Sequence, residues 1–190
     1  MSYYNQKEYS MDNNVFELIL LQNKQNELST LISCNDKTER FGLTLTEDDA
    51  EELMVCRNES LRKHKRVEFY NGILDKLIFT FCDSQFISQD NYVELLEELQ
   101  DIFYEFKNES EDKLTDEELL TFMREQFESV CFGDLEYLSS TCLERFCTAI
   151  RAGYEGYKET GGSHEYEQFS EEARWDKNLY LQVLRELCWG

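Results

Sequence analysis

Proline is absent from the 190 residues, and glycine occurs only eight times. Without proline no helix interior loses an amide to the ring, and so little glycine leaves too few turn residues for a fold of many short strands. Basic residues are also scarce, 19 against 40 acids, for a net charge of −21. Phosphate backbones are held by cationic contacts and counterion release, so this charge excludes direct nucleic-acid binding. The two histidines are His64 and His164, and neither follows a glutamate by three residues, so the Glu-x-x-His pairs of di-iron bundles are missing. His164-Glu165 opens like a zinc-protease helix, but Gln168 stands where the second histidine is required. No Gly-x-Ser-x-Gly or Gly-x-x-x-x-Gly-Lys-Ser/Thr motif occurs. The sequence thus offers no catalytic residue, no cofactor motif and no metal-ligand set.

Two further absences concern location. The most apolar runs, 15–21 and 73–82, are short and carry Glu17, Asp75 and Lys76, so no membrane span is expected. The first residues lack the apolar core of a signal peptide. The seven cysteines, at 34, 56, 82, 131, 142, 147 and 188, are odd in number, and no two are spaced Cys-x-x-Cys. Most lie on apolar stripes, where a thiol behaves as a small hydrophobe, so a cytoplasmic protein without disulfides is expected. Cys142 and Cys147, five apart, share a helical face poorly and read as buried core thiols.

What is present is helical pattern. Apolar residues make up 41% and aromatics 14%, enough for a folded core despite the charge. A chain this long buries roughly 70% of its unfolded surface and can form one domain, with two tightly packed halves as the alternative. Residues 1–13 show no period and read as a loose arm. Val15 to Ile32 reads as a helix through Leu18, Leu21, Leu28 and Ile32, with a strand over the β-rich start as the alternative. After a connector from Cys34 to Leu43, Thr46 caps a helix running to about Arg66, and Leu45 can staple onto Ala50. Acids crowd the start of that helix and Arg62, Lys63, His64, Lys65 and Arg66 its end, the order the backbone dipole favours. That order accounts for the basic cluster from Arg57 to Arg66 without an anionic ligand.

Residues 73–82 have scarcely any polar face and are expected at the buried centre. Tyr92, Leu95, Leu96, Leu99, Ile102, Phe103 and Phe106 mark an amphipathic helix. Beyond the polar connector 107–113, Thr115 and Glu118 form a capping box before Leu119, Leu120, Met123 and Phe127. Gly133 and Asp134 end that helix and cap the next, which carries Leu135, Leu138, Cys142, Phe146 and Ile150. Residues 154–168 hold three glycines and read as a loop or linker. Tyr180, Val183, Leu184 and Leu187 mark a last helix, about 169–188, docked on the same domain or serving a partner. The expectation is an all-α, compact bundle of about six or seven helices, with residues 1–153 as its domain.

Residues 90–136 contain sixteen acids and three bases. Such a face is commonly only solvated, but it can also occupy a basic partner through complementary fields. The function expected from these features is a non-enzymatic interaction protein whose acidic helical surface meets a basic protein. An enzyme using carboxylates in a cleft is the alternative, although forty acids make any chosen pair arbitrary.

Two resemblances stand beside this reading. Phe-Gly-Leu-Thr-Leu-Thr at 41–46, Arg-Val-Glu-Phe at 66–69, Phe-Cys-Asp-Ser at 81–84, Phe-Lys-Asn-Glu-Ser-Glu-Asp at 106–112 and Gly-Asp-Leu-Glu-Tyr-Leu at 133–138 are carried by the segment from Phe41 to about Tyr154. That segment resembles an uncharacterised family of bacterial helical proteins, which implies a bacterial cytoplasmic helical domain without an assigned activity. Locally, Phe103-x-x-Phe106, the connector and Leu114-Thr115-x-x-Glu118 resemble an EF-hand with its loop from Lys107 to Glu118. The loop would place Glu109, Glu111, Lys113, Thr115 and Glu118 at positions 3, 5, 7, 9 and 12, with Asp112 at the glycine position 6. Lys107 at position 1 puts an ammonium where the cation should sit, which opposes a calcium module.

Overall fold

The computed structural model describes residues 4–68, 72–151 and 153, and it is all-α, with no strand among those residues. In chain order, α1 (Tyr4–Ser33) is followed by the single turn α2 (Asn35–Thr38), α3 (Glu47–His64), α4 (Leu74–Phe81), α5 (Tyr92–Glu109), α6 (Asp116–Ser129), the single turn α7 (Leu135–Tyr137) and α8 (Leu143–Arg151). Among the described residues, six of these helices have eight or more residues, in keeping with the expected number. The sequence reads as one bundle over 1–153. In the structure the contacts gather into two compact units, Met1–Tyr104 and Glu105–Gly190, with the boundary inside α5. The loop 154–168 and the helix expected at 169–188 lie outside the described residues.

The first unit begins differently from expectation. Residues 4–13, read as a loose arm, belong to α1. No proline or glycine precedes Gly42, so nothing in the chain stops a helix from propagating toward the N-terminus. Val15–Leu21 is helical throughout, which decides against the strand. The expected stripe is also corrected: Leu18 and Leu21 are 64% and 58% exposed, Leu28 and Ile32 are half-buried, and among the side chains described in this helix the buried one is Leu31. A helix of 30 residues is about 45 Å long. Its later turns carry the ion pairs to α3, Lys24 Nζ to Glu51 at 3.1 Å and Arg57 to Glu27 at 2.9 Å.

The connector into α3 is held by side chains acting as backbone. Asn35 accepts from Leu45 N and donates to Leu45 O, both at 2.8 Å. Gln89 accepts from Thr44 N at 2.8 Å and donates to Thr44 O at 2.9 Å. The extended residues 43–45 therefore satisfy their amides without a sheet. Thr46 then accepts from Asp49 N at 3.2 Å while Asp49 accepts from Thr46 N at 2.8 Å, the reciprocal box that starts α3. Leu45 and Ala50 are both buried, as a staple requires. The helix stops at His64, two residues before the expected Arg66, because Lys65 turns left-handed at φ 56° and Arg66 N reaches back to Leu61 O.

α4 is one-sided rather than wholly buried. Leu74, Leu77, Ile78 and Phe81 lie in the core with Leu53, Leu96, Leu99 and Phe103. Phe79 turns outward at 38% exposure, and Lys37 Nζ lies 4.3 Å from its ring centroid. Phe79 is one residue from Ile78, about 100° round the helix, so a stripe that buries 74, 77, 78 and 81 cannot also bury 79.

The second unit is built on three aromatic rings. Phe106, Phe122 and Phe146, from α5, α6 and α8, have centroids 5.0–5.9 Å apart, the range of offset and tilted ring pairs. Thr115 and Glu118 form the expected box, Thr115 N to Glu118 Oε2 at 2.8 Å and Glu118 N to Thr115 Oγ1 at 3.2 Å. Gly133 is left-handed at φ 86°, and Asp134 accepts from Tyr137 N at 2.9 Å. The helix expected from Leu135 to Arg151 is interrupted by a π-helical turn, Leu138–Cys142. The buried residues 138, 142, 146 and 150 are spaced by four, which overshoots an α-helical turn by about 40° at each step. One wider turn offsets part of that drift and keeps the stripe on the core. Ser139 and Ser140 hydroxyls both donate to Glu136 O, at 3.2 and 2.6 Å, and support the widened turn.

Candidate functional site

α3 and the first turns of α5 place charged side chains side by side in the first unit. Near the end of α3 the charges are answered. Asp101 takes Lys63 Nζ at 2.6 Å, His64 Nε2 at 2.9 Å and the Ser60 hydroxyl at 3.2 Å. Burial raises the Asp101 carboxyl, but the hydrogen bonds and positive charge of Lys63 and His64 outweigh it, and the net effect is a lowered pKa. Arg57 faces inward, buried on Glu27. Four members of the basic cluster are thus accounted for: Arg57, Lys63 and His64 by carboxylates within the fold, and Lys65 by its role as the left-handed cap.

A carboxylate whose folded pKa is lowered supplies stability above its unfolded pKa and loses it as pH falls through the folded value. Asp101→Asn is therefore expected to destabilise the first unit by roughly 0.5–1 kcal/mol at neutral pH, the scale of partly exposed ion pairs. The difference from the parent should shrink as pH drops below the ordinary aspartate value. Paired denaturation curves at neutral and acid pH measure it, and a difference that grows on acidification would contradict the assignment.

One turn earlier the balance reverses. Glu52 on α3 and Glu94 on α5 are exposed, and Glu97 lies half-buried between their charges. Burial, then the negative charges of Glu52 and Glu94, raise the Glu97 carboxyl. Cys56, whose thiol sits 3.9 Å from Glu97 O, feels the same field: burial, then Glu97, Asp101 and Glu59, push it up to about 11. Among the described residues no lysine or arginine pairs with Glu52, Glu94 or Glu97.

The loop 107–118 in the second unit, whose sequence resembles an EF-hand, is organised by Lys107. Lys107 is buried, donates to Leu114 O at 2.6 Å and pairs with Asp116 at 3.0 Å, so its ammonium closes the loop from inside. Asp112, at the glycine position, does adopt the left-handed φ of 57°. The carboxylates at ligand positions turn elsewhere: Glu109 to Cys147 at 3.2 Å and Arg151 at 3.9 Å, Glu111 to Lys113 at 3.2 Å, and Glu118 to the cap of α6. Lys107→Met removes the ammonium and leaves a buried carbonyl and a carboxylate without it. A loss of about 2–3 kcal/mol is expected, the range for hydrogen bonds to charged groups. Urea denaturation measures it, and an unchanged midpoint would show that the loop closes without the ammonium.

Cys142 is buried as expected, and Cys147 departs from its reading. Cys147 is only half-buried and donates to Glu109; burial, then that contact, push its thiol up to about 11. Cys142 is buried, and its neighbour is Cys131, with the sulfurs 3.5 Å apart. Periodicity gave no sign of this pair, because it is brought together by a chain reversal and a π turn. His164 lies outside the described residues.

The fold and this distribution of charge define an all-α protein with an acidic, cation-poor helical face. The chain belongs to the family described as "Family of unknown function (DUF6323)", whose profile matches residues 30–156. That match starts eleven residues before the Phe41 at which the resemblance was placed, and so takes in the end of α1 and the Asn35 clamp. No curated protein and no solved structure matches the chain. No described helix is long and apolar enough to cross a membrane.

Proposed function

We propose that the face bearing Glu52, Glu94 and Glu97 binds a basic surface of a partner protein, in a bacterial cytoplasm. The observation that carries this reading is the raised carboxyl of Glu97 beside two further acids, with no base among the described residues paired to any of the three. A carboxylate in that setting is destabilised by its neighbours at neutral pH, and an incoming lysine or arginine relieves it. Asp90 and Glu98, in the same unit, add negative charge that steers such a partner.

The test uses the full chain and its Glu52→Gln/Glu94→Gln/Glu97→Gln variant as baits in extract of the native host, at about 0.05 M and about 0.5 M salt. The expected result is a lysine- and arginine-rich protein retained at low salt and released at high salt. Its affinity for the variant should be weaker by about ten-fold or more. The variant should remain folded, since removing mutually repelling charges does not destabilise. A complex indifferent to salt, one that holds the variant equally well, or the absence of any complex would overturn the reading.

A further inference from the structure

Cys131 and Cys142 meet through two uncommon pieces of backbone. Cys131 lies two residues beyond α6, in a corner where Phe132, a bulky non-glycine residue, is left-handed at φ 51° and Gly133 follows at φ 86°. Cys142 is the last residue of the π turn. A left-handed phenylalanine is strained, and single π turns recur at functional positions. Both features serve to set the two sulfurs 3.5 Å apart in a buried site, with Gln126 Oε1 4.0 Å from Cys142. Arg145, three residues after Cys142, contributes positive charge toward it, and its Nη1 is buried without a hydrogen-bond partner. That positive charge favours thiolate over thiol, against the opposing effects of burial and of the thiol's contact with Gln126.

We propose that Cys131 and Cys142 are a redox-active dithiol that closes reversibly into an intramolecular disulfide, tying the end of α6 to the π turn. The sulfurs have to approach by about 1.5 Å to reach a bonded separation, which requires a small local rearrangement of the corner that carries the exposed Phe132. The hydrogen bond between the two thiols, against the opposing effect of burial and with help from Arg145, lowers the pKa of Cys142, and Cys142 is assigned as the attacking sulfur. The oxidant is a low-molecular-weight disulfide. The Cys142 thiolate attacks one of its sulfurs and expels the first reagent thiolate, leaving a mixed disulfide. Cys131 then loses its proton and attacks the Cys142 sulfur, expelling the second reagent thiolate. Two protein thiols and one reagent disulfide become one protein disulfide and two reagent thiols.

The test treats the folded full chain with glutathione disulfide, then alkylates the remaining thiols with N-ethylmaleimide in denaturant and maps the peptides by mass spectrometry. The expected result is a Cys131–Cys142 link, with five of the seven cysteines alkylated and all seven after dithiothreitol. Cys142→Ser should leave Cys131 without an internal partner, open to alkylation or glutathione, while Cys147→Ser should close as the parent does. The parent map alone decides the matter if a variant fails to fold. Cys131 and Cys142 both alkylated after oxidation, a link from either to a different cysteine, or a link formed only in denaturant would overturn the proposal.

Discussion

Phe146→Ala is expected to destabilise the second unit by about 3–5 kcal/mol, the range for deleting a large aromatic side chain from a core. Phe146 is 2% exposed and has ring neighbours on two other helices, Phe106 at 5.0 Å and Phe122 at 5.1 Å. Alanine leaves a cavity bordered by two rings that α5 and α6 fix in place, so collapse recovers little of the lost contact. Because the chain forms two units, a single global transition is the wrong readout. Hydrogen exchange resolved by peptide should show α6 and α8 losing protection while α3 and α4 keep theirs. A loss below about 1 kcal/mol in the second unit would mean that the triad is not its centre.

Arg57→Met is expected to produce a loss of similar size in the first unit, about 3 kcal/mol or more. The Arg57 side chain is 8% exposed and pairs with that of Glu27, 23% exposed, at 2.9 Å. Breaking such a pair leaves a partly buried charge without its counterion, and this term dominates over the loss of attraction. Methionine keeps most of the stem, so lost packing contributes little. The double variant Arg57→Met/Glu27→Met separates the terms: it should recover part of the stability, because Glu27 is no longer left without its counterion. Denaturation midpoints for the four members of the cycle provide the coupling energy. Single variants within about 0.5 kcal/mol of the parent would place Arg57 in solvent rather than in the core.

Much of the first unit and of the hairpin was legible from local signals. Thr46 and Thr115 each stand three residues before an acid and ahead of an apolar run, and both boxes form because that spacing alone determines the cap. The features that were not legible depend on where the chain goes afterwards. Leu18 and Leu21 read as core because periodicity reports a face, not whether another element reaches it. Arg57 read with the exposed basic end of α3, yet it lies seven residues before His64, nearly two turns back, and points at α1. In the loop the ammonium of Lys107 was legible as an obstacle to calcium, but its positive role as the clip on Leu114 and Asp116 was not. Charge counting gave the acidity of 90–136 but could not separate Asp101, which is neutralised by α3, from Glu97, which α3 makes worse. That distinction needs the two helices side by side.

The most direct measurement of the acidic face is the titration of the Glu97 carboxyl by carbon-13 NMR in the parent and in Glu52→Gln/Glu94→Gln. A midpoint above the ordinary glutamate value in the parent, moving back toward it in the double variant, is the expected result. A parent midpoint at or below the ordinary value would show that a cation already neutralises this face, and the case for a basic partner would fall with it.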